Sequence, residues 1–203
     1  MQLSRESIIS ASLEIADTYG LADMTMRRVA RHLGVAPGAL YWHFPSKQAL
    51  IAAIGQSICA PVLDDAADVT ATGTTTWVEA TVAVCDRLHR ALLDHRDGAE
   101  IVSAALSDEE LRNRLTSVIA TALGTRSDLT PGECGTGAVT LMHFIMGATL
   151  HEQSVAALRL AEGVVESGGE DADTRAEEAG AGETTFRRGV AVVLKGLGAP
   201  QAI

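Results

Sequence analysis

A chain of 203 residues with 47% hydrophobic residues can bury a sizeable core, and with 3% aromatics and 19 glycines that core must be built mainly from Ala, Val, Leu and Ile. The formal net charge is -10, so any positively charged stretch stands against the sign of the whole chain. No uninterrupted apolar run reaches the roughly eighteen residues of a membrane span, and Met1 to Gly20 carries Glu6, Glu14 and Asp17 where a signal sequence would be apolar. A cytoplasmic protein without a membrane partner is expected. Cys59, Cys85 and Cys134 are widely spaced and form no CxxC pair, which reads as three free core thiols; a redox sensor is the lesser alternative.

Apolar residues recur at helical spacing with no sustained alternation, so the fold class is all-α. The first helix spans Ser4 to Tyr19, with Ile9, Leu13 and Ala16 on one stripe, and Gly20 ends it. Thr25 is suited to cap a second helix in which Met26, Val29, Ala30 and Leu33 fall at i, i+3, i+4 and i+7; Gly34 stops it. Pro37 can open a third helix of at most six or seven residues, because proline at a first helical position gives up only an unpaired N–H. From Ser46 a fourth helix runs through Leu50, Ile51, Ile54 and Ile58, and Pro61 predicts a kink or a stop near Cys59 to Pro61.

Asp64 to Thr76 reads as a loop between modules. A helix from Trp77 to about His95 follows, then Asp97 and Gly98 open a short one. Ser107 and Asp108 cap the next, and Pro131 begins another with two usable faces: Val139, Met142, Ile145, Met146 and Thr149 on one, His143, Gly147, Leu150 and His151 beside it. Between Glu162 and Glu183 five glycines and eight acids stand against the single Arg175, which predicts a mobile acidic loop over 162–183. A last helix is expected from Thr185 to Gly196, apolar enough to need a partner surface.

The charged residues from Thr25 to Lys47 are Arg27, Arg28, Arg31 and Lys47, all positive. Phosphate binding requires such groups, with hydroxyls and helix N-termini, on one exposed surface; base reading requires a slim helix that enters a major groove about 12 Å wide. The small residues Pro37, Gly38 and Ala39 permit that approach. On the residues alone, a DNA-reading helix-turn-helix and a structural helical hairpin with a solvated basic face both remain open.

LGVAPGALYWHFPSKQAL resembles the signature of the tetracycline-repressor (TetR) family of bacterial transcription regulators, in which LGV, LYWHF and K-x-x-L mark the recognition helix and the start of the next. The likeness continues: HRALLDHRDGAEI, HFIMGATLHEQ and FRRGVAVVLKGL are similar to segments of the sensor domain of the tetracycline-binding branch. The resemblance implies a three-helix DNA-binding domain over 1–46 and a helical ligand-binding and dimerisation domain over 47–203. It also implies a homodimer whose helix from Pro131 and terminal helix pack on their symmetry mates, and double-stranded operator DNA and a small-molecule effector as partners. Two readers about one DNA turn apart suit a palindrome.

By the same resemblance Arg27 matches a base-reading arginine, and Pro37, Gly38 and Ala39 begin the recognition helix where the tetracycline repressor has a Gln and a Thr. Tyr41, Trp42, His43 and Lys47 match its backbone-contacting end; with the capping Thr25 these form the expected DNA surface. For Tyr41 and Trp42 the alternative is packing beneath the helix. In the sensor, Val102, Val84 and Leu88 stand where that branch has a metal-binding His, an Asn and a Phe; His151 stands for a carboxylate, and only His143 keeps its identity. None of these supplies an oxygen ligand for Mg²⁺. The expected site is therefore apolar and metal-free, lined by Leu63, Val84, Leu88, Val102 and Met146, with His143 and His151 as polar anchors.

His143 and His151 at i, i+8 lie ~12 Å apart along a helix, too far to share one ion, so no metal or cofactor is expected. No catalytic residue is assigned, since no nucleophile–base–orienter set, glycine-rich phosphate loop or paired carboxylate is visible. A ligand-released dimeric repressor is the expected function. A small helical enzyme or ligand carrier using the histidines is the alternative.

Overall fold

The computed structural model describes residues 3–64, 76–125, 128–161 and 172–197, with side chains from 183 onward in the last segment. Among the described residues the fold is all helix: α1 Arg5–Tyr19, α2 Met26–His32, α3 Pro37–Tyr41, α4 Lys47–Asp64, α5 Trp77–Leu93, α6 Gly98–Ala105, α7 Glu109–Leu123, α8 Pro131–Ala161 and α9 Ala172–Leu197, with a 3₁₀ turn at Leu21–Asp23. None of these is long and apolar enough to cross a membrane.

Local chemistry sets most of the boundaries. Ser4 and Ser7 form a capping box at the start of α1, and Gly20, at φ 90°, ends it. The Thr25 hydroxyl accepts from the Arg28 N–H, and Gly34, at φ 68°, turns the chain after α2. Pro37 opens α3, the Ser46 hydroxyl accepts from the Ala49 N–H at the head of α4, and Asp108 caps α7. Thr76 and Glu79 form a second capping box before α5, and the bonds from Thr76 hold the Glu79 carboxyl below its usual pKa.

Met26, Val29, Ala30, Leu40 and Phe44 close the small core of α1–α3 against Ile8, Ala11 and Ile15, and that core runs without a break into α4. Around α4 lie α5, α6 and α7, with α8 and α9 packed outside them. The tightest approach is at Gly55, where a Cβ would lie 2.3 Å from the Cβ of Ala105 on α6. On the far side Phe186 of α9 is 2% exposed and stacks on the buried His89 ring at 3.8 Å. Gly189 lies so close to Phe144 that a Cβ would meet its ring at 2.1 Å.

Two expectations need correction. The helix across Pro61 does not stop: α4 continues to Asp64. The missing N–H costs only one bond near the helix end, where both Pro61 and Ser57 are exposed and water can serve the freed carbonyl. The acidic loop over 162–183 is helical from Ala172 onward, since alanine and glutamate favour helix; residues 162–171 lie outside the described residues. The third helix is five residues long, within the expected limit, with Trp42 serving as its C-cap. The loop expected at 64–76 falls mostly on 65–75, also outside the described residues; Asp64 ends α4 and Thr76 caps α5.

Two outcomes follow from this packing. Gly55→Ala should lower stability by ~1–3 kcal/mol through overpacking, and a further Ala105→Gly change should recover part of the loss in urea unfolding. A Gly55→Ala protein as stable as the parent would show that α4 and α6 have room to part. Cys59 and Cys85 are buried, which pushes their thiols up to about 12, so the folded protein at pH 8 should leave both unreacted with a disulfide reagent that titrates them fully in urea.

Candidate functional site

α2 and α3 meet across the turn at 33–36, with α3 anchored by the buried Leu40 and Phe44. Its outer side is small and bare: Pro37 and Gly38 are exposed, and nothing lies within 4 Å of a Cβ at Gly38. Trp42 is 91% exposed and Tyr41 51%, so neither packs under the helix. An indole left in water at a helix end is costly for a fold and useful to a surface that meets a partner. Thr25 and Arg27 are exposed on the same module, and Ala39, His43 and Lys47 are half-buried.

The three arginines of α2 are not equivalent. Arg28 donates to Asp23 at 2.5 Å and lies over the Tyr19 ring at 3.8 Å, so it holds α1, the 3₁₀ turn and α2 together. Arg27 and Arg31 are exposed, with no carboxylate partner among the described residues, and carry the positive charge of this face. Arg5, which sequence reasoning did not single out, donates to the His43 carbonyl and lies 4.2 Å from the Phe44 ring centroid, pinning the end of α3 to α1. Nothing local in the sequence marks Arg5, because its partners are far along the chain.

In the sensor half, Val84 and Leu88 of α5, Val102 of α6 and Met146 of α8 belong to one buried cluster, with half-buried Leu63 packed against it. Val84, Leu88 and Val102 are fully covered. His143 and His151 are not brought to them: both are exposed, on the side of α8 that faces away from the cluster. The buried histidine is His89, whose Nε2 lies 2.9 Å from a Glu152 carboxylate oxygen. Beside it Arg187 of α9 donates to Asp86 of α5 at 2.9 Å, which raises the Arg187 pKa, while Arg90 and Arg187 hold the Glu183 carboxyl below its usual value. An open groove of about 610 Å³ lies outside the cluster, lined by Leu63, Val118 and polar residues of α7 that include Glu110 and Arg114. Of the expected ligand-site residues, Leu63 alone lines it.

Comparison with known proteins covers both halves of this arrangement. The family described as bacterial regulatory proteins, tetR family, matches residues 8–54, and the one described as tetracyclin repressor-like, C-terminal domain, matches residues 70–199. The class D tetracycline repressor protein of Escherichia coli is 32% identical over 152 residues, 75% of this chain and 67% of its own length. The class C protein of Escherichia coli is 27% identical over 217 residues, covering 97% and 91%. Among solved structures, Mycobacterium smegmatis BioQ is 33% identical with a TM-score of 0.76, covering 97% of this chain and 98% of that one. BioQ with its double-stranded DNA operator is 30% identical with a TM-score of 0.75, covering 98% and 100%. A basic helix-turn-helix carrying an exposed Trp42 and an apolar helical sensor, each matched in its own right, make this chain a member of the TetR family of DNA-binding transcriptional regulators.

Proposed function

We propose that the chain is a homodimeric repressor that reads a palindromic operator with two copies of α3 and leaves it when a small, largely apolar ligand enters the sensor. The observation that carries this reading is the join between a locally positive reader and an apolar sensor through α4, which belongs to both cores. Residues 1–46 form the reader and 47–203 the sensor and dimerisation domain. Thr25, Arg27 and Lys47 are assigned to phosphates and base edges, and Pro37, Gly38 and Ala39 to close approach along the groove floor. Tyr41, Trp42 and His43 are assigned to the flanking backbone. BioQ, similar over nearly the whole chain, has been solved on its operator, which supports double-stranded DNA as partner. A protein acting on bacterial DNA works in the cytoplasm.

Val139, His143, Gly147, Leu150 and Leu158 form an exposed stripe along α8, and Val192 of α9 is 72% exposed. Nothing lies within 4 Å of a Cβ at Gly147, so a second helix can come close there. We assign this stripe to the dimer contact, which gives His143 and His151 a place at the interface in preference to a catalytic or ligand-anchoring role. Val84, Leu88, Val102 and Met146 offer a ligand dispersion contacts and no donor atoms for Mg²⁺. Since they are covered, the ligand binds a minor conformation in which α6 has moved, and it shifts the population away from the DNA-competent spacing.

Selection of the preferred duplex from random DNA tests the reading: a palindromic site is expected, bound at least ~10³ more tightly than random duplex. Equal affinity for the two would overturn it. Trp42→Ala should weaken that site ~10-fold or more with the melting temperature unchanged, because the side chain is 91% exposed. Lys47→Ala should lower the slope of log affinity against log salt by about one. Apolar compounds should release the duplex with or without a chelator in the buffer; release that requires Mg²⁺ would refute the metal-free sensor.

A further inference from the structure

α4 is the covalent link between reader and sensor, but a single helical link fixes position better than rotation. A second, non-covalent link lies at the turn between α5 and α6. From the sensor side, one side chain grips it: the Gln153 amide nitrogen on α8 donates to the carbonyls of Leu92 at 3.0 Å and His95 at 2.8 Å, and its oxygen accepts from the Ala99 N–H at 3.0 Å. On its other side the same turn grips the end of α1. The Asp17 carboxylate accepts from the Arg96 N–H at 3.0 Å and lies 3.1 Å from His95 Nδ1. The Arg96 guanidinium donates to the Thr18 carbonyl at 3.1 Å, and the Asp97 carboxylate accepts from the Leu21 N–H at 2.8 Å.

The backbone leaves this turn little freedom. Asp97 sits at φ 57°, in the left-handed region that most side chains avoid. A Cβ at Gly98 would lie 2.1 Å from the Leu92 carbonyl oxygen, and one at Gly20, itself at φ 90°, would lie 3.1 Å from the Asp97 carboxylate. Leu21 begins the 3₁₀ turn that leads into α2, so the atom held by Asp97 is five residues from the first helix of the helix-turn-helix.

We propose that the His95–Asp97 turn is a second joint that sets the orientation of the reader, with Gln153, Asp97 and Asp17 as its positioning residues, so that α8 orients the operator-reading helices through α1 as well as through α4. The proposal rests on the reader–sensor division above and names how that division is bridged. A displacement of α8 or α6 changes the three Gln153 bonds, the turn moves as a unit, and the end of α1 with the 3₁₀ turn after it follows through four polar contacts.

Amide hydrogen exchange on the full-length dimer tests the joint without DNA. Gln153→Ala should speed exchange at Leu21 and Arg96 about 10-fold, although Gln153 bonds to neither, while amides in α2 stay at the parent rate. Exchange enhanced at Ala99 alone, with Leu21 and Arg96 unchanged, would overturn the proposal. If Gln153→Ala does not fold, Gln153→Glu keeps the acceptor for Ala99 and removes both donors, and the same two amides decide. On the selected duplex, Gln153→Ala and Asp17→Ala should each cost about 5-fold or more in affinity, and the double variant should be little worse than either. Losses that multiply would mean two independent defects and no joint. A protein without sequence preference would fail in the duplex assay only, and the exchange result would still decide the joint.

Discussion

The contact on which the molecule depends is the one between α4 and α6 at Gly55 and Ala105. Helices that approach until backbone nearly meets Cβ have no side-chain cushion, and close-packed interiors pass displacement on instead of absorbing it. The last helix of the reader's core is therefore also the first of the sensor's, and Gln48 near its start reinforces the contact with bonds to the Ala104 carbonyl and the Ser107 hydroxyl. A change in α6 is passed to α4 directly at this contact. This is why an apolar core far from DNA can govern a surface that contains none of its residues.

Charge is distributed to keep the two surfaces distinct. The chain as a whole repels DNA, so attraction is confined to the few cations of the reader, and one of them, Arg28, is spent inside the module to hold α1 and α2 in register. In the sensor three buried polar side chains are each satisfied: Thr149 bonds the Ile145 carbonyl, His89 meets Glu152, and Asp86 meets Arg187. Magnitudes rank these contributions. Burying a side chain such as Phe186 stabilises by about 1.5–3 kcal/mol, whereas an exposed ion pair such as Arg90–Glu183 is screened by solvent and adds far less. The ion pairs align α9 on α5; the apolar stripe of α9 holds it there.

Much of this was legible along the chain. Thr25, Ser46, Asp108 and Pro131 stand where helices begin, and Gly20 and Gly34 where they end, because caps and positive-φ turns are solved within four residues of backbone. Pro61 misled because its cost depends on whether water reaches the freed carbonyl, which depends on the helix face. The stretch from Ala172 misled because its composition resembles that of disordered acidic segments, and period and propensity were outweighed by glycine count. The proposed DNA surface rests on the LYWHF pattern, yet whether Trp42 lay under the helix or in water was not readable from it, since either placement fits the spacing.

What the sequence determined by itself was therefore the local and the inherited: an all-α chain, the order and ends of most helices, and a locally positive helix-turn-helix. Only the tertiary structure decided which face of α8 turns inward, leaving His143 and His151 outside and Met146 inside. It alone brought Arg5 to His43, His89 to Phe186, and Gln153 and Asp17 to opposite sides of one turn. The reason is distance along the chain. Helical periodicity assigns a residue to a stripe, but which stripe meets which neighbour is settled only when residues dozens of positions apart compete for the same core.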